Sequence, residues 1–421
     1  MSTYPDTTTV ADHWFQPLAE LLPQCREHTR HCPVLPDQSW LRLFLARALH
    51  EVRSGRAFLQ EVGHRLPDCP ELGSFFESLK SSRRANLVGE LNTRLAAQLA
   101  RVRPDPLAQF PALDNFDVYA GDGHWHGAAA HDAAVEGVKY AMGHFFGLNL
   151  RTQAMVHLTA ADPLHRRKEH DMRALKRLEL QTLRQGAPVG RQVIWVWDKA
   201  GIDFTQWYRW KQGSGIYVIS CAKENMNLEV IGQRPWDRDD PVNHGVLADE
   251  LVATSMHVAV RRVTYLDPVS GTRFEFLTTE LTLAPGLIAH LYRLRWNIEK
   301  GFDEFKNKLG ARKAWASGAI AKTIQARFLC LVHNLLLWFE QVVLAPAAVT
   351  PQAEDRRRAR RLEDTKRELA RRHQTLPRLV ESLQQGTQRS VKFIRWLRSH
   401  LFSPTPCSQA LASLRASYSK L

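Results

Sequence analysis

The sequence is short of several things that would place it in familiar classes. It has six cysteines in 421 residues, at 25, 32, 69, 221, 330 and 407, and no CxxC pair. That distribution excludes a disulfide framework and fits reduced thiols. The cluster CREHTRHC brings Cys25, His28, His31 and Cys32 together, but it lacks the two separated ligand pairs of an ordinary structural zinc site. No run of eighteen or more apolar residues occurs, and the start MSTYPDTTTV has no signal-peptide core. A membrane-spanning or exported protein is therefore not expected, and the cytosol is. Internal repeats and low-complexity tracts are also missing.

What the chain has in excess is positive charge. Lys plus Arg (57) outnumber Asp plus Glu (43), giving a formal charge of +14 and an isoelectric point near 9.7. Such a balance points to a polyanionic partner, with nucleic acid preferred over a membrane surface. The length suffices for two or three domains and a substantial core.

Texture changes along the chain. Residues 1–108 show apolar residues at helical spacing with Arg and Lys on the other faces, and the prolines of RVRPDPLAQFP punctuate their end. Strand-like and helical segments then alternate: DNFDVYAGDG, HFFGLNLRTQAMVHLTA, a helix over PLHRRKEHDMRALKRLELQTLRQG, and the strand RQVIWVWD. This pattern indicates an α/β layer. Residues 205–284 are β-rich, and IAKTIQARFLCLVHNLLLWFEQVVL reads as an apolar helix packed on the core. The basic stretch DRRRARRLEDTKRELARRHQ and the segment RSVKFIRWLRSH follow, either solvated helix faces or DNA contacts.

The most informative segment is YRLRWNIEKGFDEFKNKLG, Tyr292 to Gly310. Its spacing predicts one helix. Leu291, Leu294, Ile298, Phe302, Phe305 and Leu309 share an arc of about 80°, the core face. Tyr292, Arg295, Glu299 and Lys306 share a second arc of about 60° beside it. Arg293, Asn297, Lys300, Glu304 and Lys308 are expected to face water. An exposed Arg295–Glu299 pair would contribute only a few tenths of a kcal/mol, so the arc alone leaves a plain surface ion pair open.

Two further acids stand out by position. Asp122 and Asp198 each close an apolar strand-like run, 76 residues apart, and Glu299 follows 101 residues later. Strand carboxyl ends in an open α/β sheet are common ligand sites. Three converging carboxylates can hold two magnesium ions for an in-line phosphoryl displacement, and Tyr292, Arg295 and Lys306 would then supply donors to phosphate. Taken singly, each aspartate could equally be a turn or cap residue.

With these residues in place, the chain resembles bacterial insertion-sequence transposases of the DDE class. The spacing Tyr292, Arg295, Glu299, Lys306 is similar to the Tyr-Arg-Glu-Lys signature of the branch carrying a β-strand insertion in its catalytic core. VIWVWDKAGIDF, GIYVISCAKEN, FLTTELTLAPGLIAHLYRLRW and KTIQARFLCLVHNLLL match the same family in order and texture, over residues 114 to 338. The resemblance implies an RNase H-like catalytic core: residues 109–204 as its first part, 205–284 as the β-rich insertion, and 285–345 as its second part with the glutamate helix. A helical DNA-binding region (1–108) and a basic helical region (346–421) would flank it.

The resemblance also implies Asp122, Asp198 and Glu299 as ligands of two Mg2+ ions, with Mn2+ able to substitute, and Tyr292, Arg295 and Lys306 on DNA near the cut. Double-stranded DNA ending in terminal inverted repeats and target DNA would be the partners, in a homodimeric complex. A non-catalytic DNA-binding protein of transposase descent and a stand-alone nuclease are the rival readings. Members of that branch often resolve the donor end through a hairpin, for which Trp207, Trp210 and Trp236 are candidate stacking residues, with core packing as the alternative for each. The chain departs from the family after the first aspartate, where His124 and His126 stand near a position usually held by a small hydroxyl residue. Asp117 and Asp132 therefore remain alternatives to Asp122, and Asp303 to Glu299; a zinc centre on His124, His126 and His131 is a further alternative.

Overall fold

The computed structural model describes residues 7–28, 35–50, 54–66, 68–129, 131–132, 134, 137–139, 141–161, 171–254, 258–311, 313–377 and 391–419. His31 and Cys32 of the cysteine–histidine cluster lie outside these residues. Cys25 is buried with its thiol toward Leu21 O, and His28 meets Asp37 at 3.2 Å.

Helices come first. α1 (Val10–Leu21), α2 (Asp37–Leu49), α3 (Gly55–Val62), α4 (Leu72–Ser78) and α5 (Ser82–Val102) precede the first strand. Thr9 opens α1 through a reciprocal capping box with Asp12, and Ser81 caps α5 by accepting from Arg84 N. Leu87, Val88, Leu91, Leu95 and Leu99 of α5 are buried at helical spacing.

The strands β1 (Phe116–His126), β2 (Met142–Asn149), β3 (Met155–Ala160), β4 (Gln192–Val196), β5 (Ile216–Cys221), β6 (Leu228–Gln233), β7 (Val246–Thr254), β8 (Ala259–Leu266) and β9 (Arg273–Thr278) form one sheet. Its order is β3-β2-β1-β4-β5-β9-β8-β7-β6. β1, β4 and β5 run parallel at its centre, and every other pairing is antiparallel. Within residues 205–284, expected as a β-rich insertion, β5 is thus a strand of the parallel centre, and β6–β9 prolong the same sheet rather than forming a separate layer. Between β3 and β5 lie α6 (Asp171–Lys176), α7 (Leu180–Arg184) and α8 (Phe204–Ser214). The single helix expected over 163–186 is replaced, in its described part, by the two short helices α6 and α7.

After the sheet come α9 (Pro285–Leu294), α10 (Trp296–Asn307), α11 (Ala319–Phe339), α12 (Gln352–Arg371), α13 (Val391–His400) and α14 (Cys407–Ser419). α11 is the spine: nearly every residue from Ile324 to Phe339 is buried. By length and composition residues 319–344 could cross a membrane, yet 78% of their most apolar window is buried inside the protein. α5 lies along α11 and is locked to it by Asn334, which donates to Asn92 Oδ1 (2.8 Å) and to Met155 O (2.9 Å) on β3. The N-terminal helices, α11 and α13 consequently share one hydrophobic core with a face of the sheet. The opposite face packs on a second core that contains Trp195, Trp207 and Trp210.

Strand parity then decides which residues meet α10. Val118 and Ala120 of β1 and Ile194 and Val196 of β4 belong to the helix-spine core, whereas Tyr119, Val193, Trp195 and Trp197 belong to the other. Successive side chains alternate, so Asp122 and Asp198 take the parity of the face on which α10 packs.

The distal strands fix the entry to α9. Arg261 on β8 grips Asp249 on β7 through two bonds of 2.8 and 2.7 Å and donates to Leu283 O, two residues before α9 begins. Gly286 N donates to Asn243 Oδ1, and a Cβ at Gly286 would stand 1.8 Å from Val242 O, so only glycine permits this approach.

Candidate active site

β1 and β4 pair in parallel with Ala120 opposite Val196, and β4 pairs with β5 with Val196 opposite Ile219. Two residues further along each strand, Asp122, Asp198 and Cys221 come level. Asp198 ends its strand as the cap of a short turn: its Oδ1 accepts from Ala200 N at 2.9 Å, and its carbonyl accepts from Ser220 Oγ at 2.8 Å. Asp122 Oδ1 accepts from Gly123 N at 2.7 Å. Each carboxylate is thereby oriented by its own backbone.

The ring of Trp197 lies across Gly121, beside both acids. A Cβ at Gly121 would meet it at 1.9 Å, so this strand position is restricted to glycine. Trp197 is itself stacked on Trp195, with centroids 5.0 Å apart.

Arg295 brings the helix to the strand. Its Nη1 donates to Asp122 Oδ2 at 3.1 Å, and its Nη2 to Glu299 Oε1 at 2.9 Å. Arg295 is 9% exposed, so this is no surface pair. Burial works against its charge, but Asp122, Tyr292 and Glu299 outweigh that effect and raise its pKa. The Tyr292 ring packs on Phe276 of β9 (4.8 Å) and lies 5.8 Å from the guanidinium carbon. Burial, with Cys221 and Asp198 nearby, pushes the Tyr292 hydroxyl up to about 12, so it stays a neutral donor. Lys306 is exposed and close enough to His124 to act on that ring's charge.

The expected single helix from Tyr292 to Gly310 is in fact two. α9 ends at Leu294, and Arg295 sits in a tight turn between helices, its N–H 3.1 Å from Tyr292 O. Tyr292 and Glu299 therefore belong to different helices, both anchored beside Arg295. The expectation that Glu304 and Lys308 face water is also corrected: Glu304 is 3% exposed and Lys308 is 7% exposed. α11 covers that side of α10 and supplies His333, whose Nδ1 meets Glu304 Oε1 at 2.8 Å while its Nε2 meets Gln153 O at 3.0 Å. With both ring nitrogens facing oxygen acceptors, His333 pins α10 to α11 and to the β2–β3 turn.

The other candidates are placed as follows. Asp117 pairs with Arg191 (2.6 Å), Asp132 with Lys322 (2.6 Å), and Asp303 accepts from Asn307 Nδ2 (2.6 Å). Trp207 and Trp210 are fully buried against the sheet, which removes them as stacking surfaces for a base. Trp236 is partly exposed, with Arg238 5.1 Å from its ring. His124 stacks on Phe302 of α10 (4.9 Å, 17°), and His126, His144 and His157 continue a row of histidines across β1, β2 and β3. Burial depresses the pKa of all four, His124 to about 4. These are neutral packing groups.

As a metal site, the donor set is chemically apt: Asp122, Asp198 and Glu299 offer hard carboxylate oxygens of the kind Mg2+ takes. Among the described residues, no three His, Cys, Asp or Glu side chains converge on one point as they stand. Arg295 occupies the space between Asp122 and Glu299 and neutralises both. No local pattern singles out Trp197, Cys221 or His333, because their proximity to the site depends on sheet register and on the helix α11.

A central β1-β4-β5 parallel unit flanked by antiparallel strands, with acids at strand ends facing a helix, is an arrangement consistent with an RNase H-like transposase domain. The transposase DDE domain family matches residues 117–335, more than half of the chain, and the chain belongs to that family. Membership implies a nucleic-acid-processing enzyme and suggests transposase function. A search of curated proteins finds no match.

Proposed function

We propose that this protein is a DDE transposase that cuts DNA at the terminal inverted repeats of a bacterial insertion sequence and joins the freed end to target DNA. The observation that carries the reading is the bridge Asp122–Arg295–Glu299, which fastens an acid on β1 to an acid on α10 directly beside the strand end that bears Asp198. An isolated surface pair would have no reason to be buried or to reach a third element.

In this reading Asp122, Asp198 and Glu299 hold two Mg2+ ions, which Mn2+ can replace. Bound there, divalent cations would lower the barrier to attack on phosphorus by polarising phosphate oxygens. Arg295 exchanges carboxylate for phosphate when DNA enters, its planar fork matching two oxygens. Tyr292 donates its hydroxyl to the backbone, and Lys306 adds a point charge. Hydrolysis of one phosphodiester frees a 3′ hydroxyl, and that hydroxyl then displaces a second 3′ oxygen in the target strand. Water and DNA are the successive nucleophiles, with no covalent protein intermediate.

The branch with the Tyr-Arg-Glu-Lys signature is supported by the placement of Tyr292 and Arg295 around one site, and β6–β9 then correspond to its insertion. The helical region 1–108 and the basic region 346–421 serve as further DNA-contacting parts, the active assembly is a homodimer on DNA, and the work is done in the cytoplasm.

The test incubates the wild-type protein with Mg2+, or with a chelator, and labelled duplex DNA carrying the element's own end. Joined strands in Mg2+ alone are expected. Cleavage without joining would leave a nuclease, and binding without either would leave a DNA-binding protein of transposase descent.

A further inference from the structure

We propose that the first half of α12 is a sequence-independent grip on duplex DNA outside the catalytic centre, an inference that rests on the transposase reading above. α12 carries eight Arg or Lys residues and five carboxylates, and the two halves use them differently. In the second half the charges pair internally: Lys366 with Glu363 (3.5 Å), Arg367 with Asp364 (3.9 Å), and Arg371 and Arg372 with Glu368 (3.4 and 2.9 Å). In the first half only Arg358 has such a partner, Asp355. Arg356, Arg357, Arg360 and Arg361 are all exposed, and none forms an ion pair among the described residues.

At about 100° per residue these four arginines cover an arc of about 140°, in two i,i+4 pairs separated by about 6 Å of rise. Like charges at that spacing destabilise an isolated helix. α12 is anchored instead by its opposite side, where Leu369 is buried and Leu362 half-buried. A helix that keeps four mutually repelling guanidinium groups on one free face is complementary to a dense row of negative charge. Duplex DNA supplies that row, and arginine is well suited to its phosphates. The arginine face holds no large apolar residue, which a helix lying in a membrane surface needs. Contacts of this kind fix position and leave base sequence unread.

The full chain is tested in three forms: wild type, R356A/R357A/R360A/R361A, and the same four positions changed to lysine. Affinity for a short duplex is measured across a salt series. Alanine keeps helix propensity, so α12 should persist. The slope of log affinity against log salt is expected to become shallower by about 3 to 4 in the alanine form, at about 0.9 per phosphate contact, and to stay near wild type in the lysine form. An unchanged slope in the alanine form overturns the grip while leaving the transposase reading in place. Equal loss in the alanine and lysine forms overturns it too, since charge would then not be the cause. Loss of binding to phosphatidylserine vesicles with duplex binding intact would assign the face to a membrane. A wild-type protein with no salt-dependent duplex binding would sink the transposase reading, and this inference with it.

Discussion

Replacing Gly121 by alanine tests how the two strand acids are held. The new methyl group would fall 1.9, 2.3 and 2.4 Å from three ring atoms of Trp197, so relief needs a shift of about 1.5 Å to reach ordinary contact. Trp197 has little room to give. It is 3% exposed, it stacks on Trp195 at 13°, and the backbone of Gly201 closes over its Cβ, where a further methyl would stand at 2.7 Å. Overpacking of this kind costs about 1–3 kcal/mol, and a clamped ring places Gly121→Ala near 3. With an m value of about 3 kcal/mol/M, the urea midpoint should fall by about 1 M. Gly121 adjoins Asp122 and Trp197 adjoins Asp198, so the strain is shared between the acids themselves. Metal-dependent nicking, assayed where the variant is still folded, should drop by more than tenfold. The companion change Trp197→Leu should relieve the clash, giving a double variant more stable than the sum of the singles by about 1 kcal/mol or more. A Gly121→Ala protein with wild-type midpoint and nicking rate would refute the packing argument, and strict additivity in the cycle would refute its cause.

Other expectations follow from the same geometry. Arg295→Ala removes the cation that occupies Asp122 and Glu299, so DNA cleavage should fall while Mn2+ binding to the DNA-free protein, followed by electron paramagnetic resonance, tightens by about tenfold, or about 1.4 kcal/mol; weaker Mn2+ binding would contradict the competition. His333→Ala removes the buried bonds to Glu304 and to Gln153 O and should destabilise the fold by about 1–3 kcal/mol in urea melts, whereas a loss below about 0.5 would show that α10 does not depend on this pin. Acid should also unfold the protein through its histidine row. His124 is depressed to about 4, mainly by burial, so its neutral form stabilises the fold above the ordinary value of about 6.5, and that stability is lost as pH falls toward 4. Between pH 7.5 and 5 His124 alone accounts for on the order of 2 kcal/mol, and His124→Phe should flatten the profile; an unchanged pH dependence of the melting temperature would count against it.

Much of the site was legible because it depends on local periodicity. The apolar arc of Leu291 to Leu309 and the neighbouring arc of Tyr292, Arg295 and Glu299 follow from 3.6 residues per turn, and small adjustments at the Arg295 turn do not scramble them. Asp122 and Asp198 were visible as polar residues ending apolar strands. What stayed hidden depends on partners distant in sequence. Glu304 looks like a solvent residue until α11 brings His333 to it, and no local pattern encodes that meeting. Trp207 and Trp210 could have been surface aromatics or core, and only the second core beneath the sheet decides between them. The membership of β5 in the parallel centre rests on register with β4, which alternation within a single strand does not reveal.

The central claim is that Asp122, Asp198 and Glu299 act as one catalytic set, and single-turnover cleavage by D122N, D198N and E299Q with Mg2+ tests it most directly. Each variant should bind the inverted-repeat duplex, since no phosphate donor is removed, and each should lose cleavage by a factor of about a hundred or more. Any one of the three cleaving at the wild-type rate would remove that residue from the set and contradict the account.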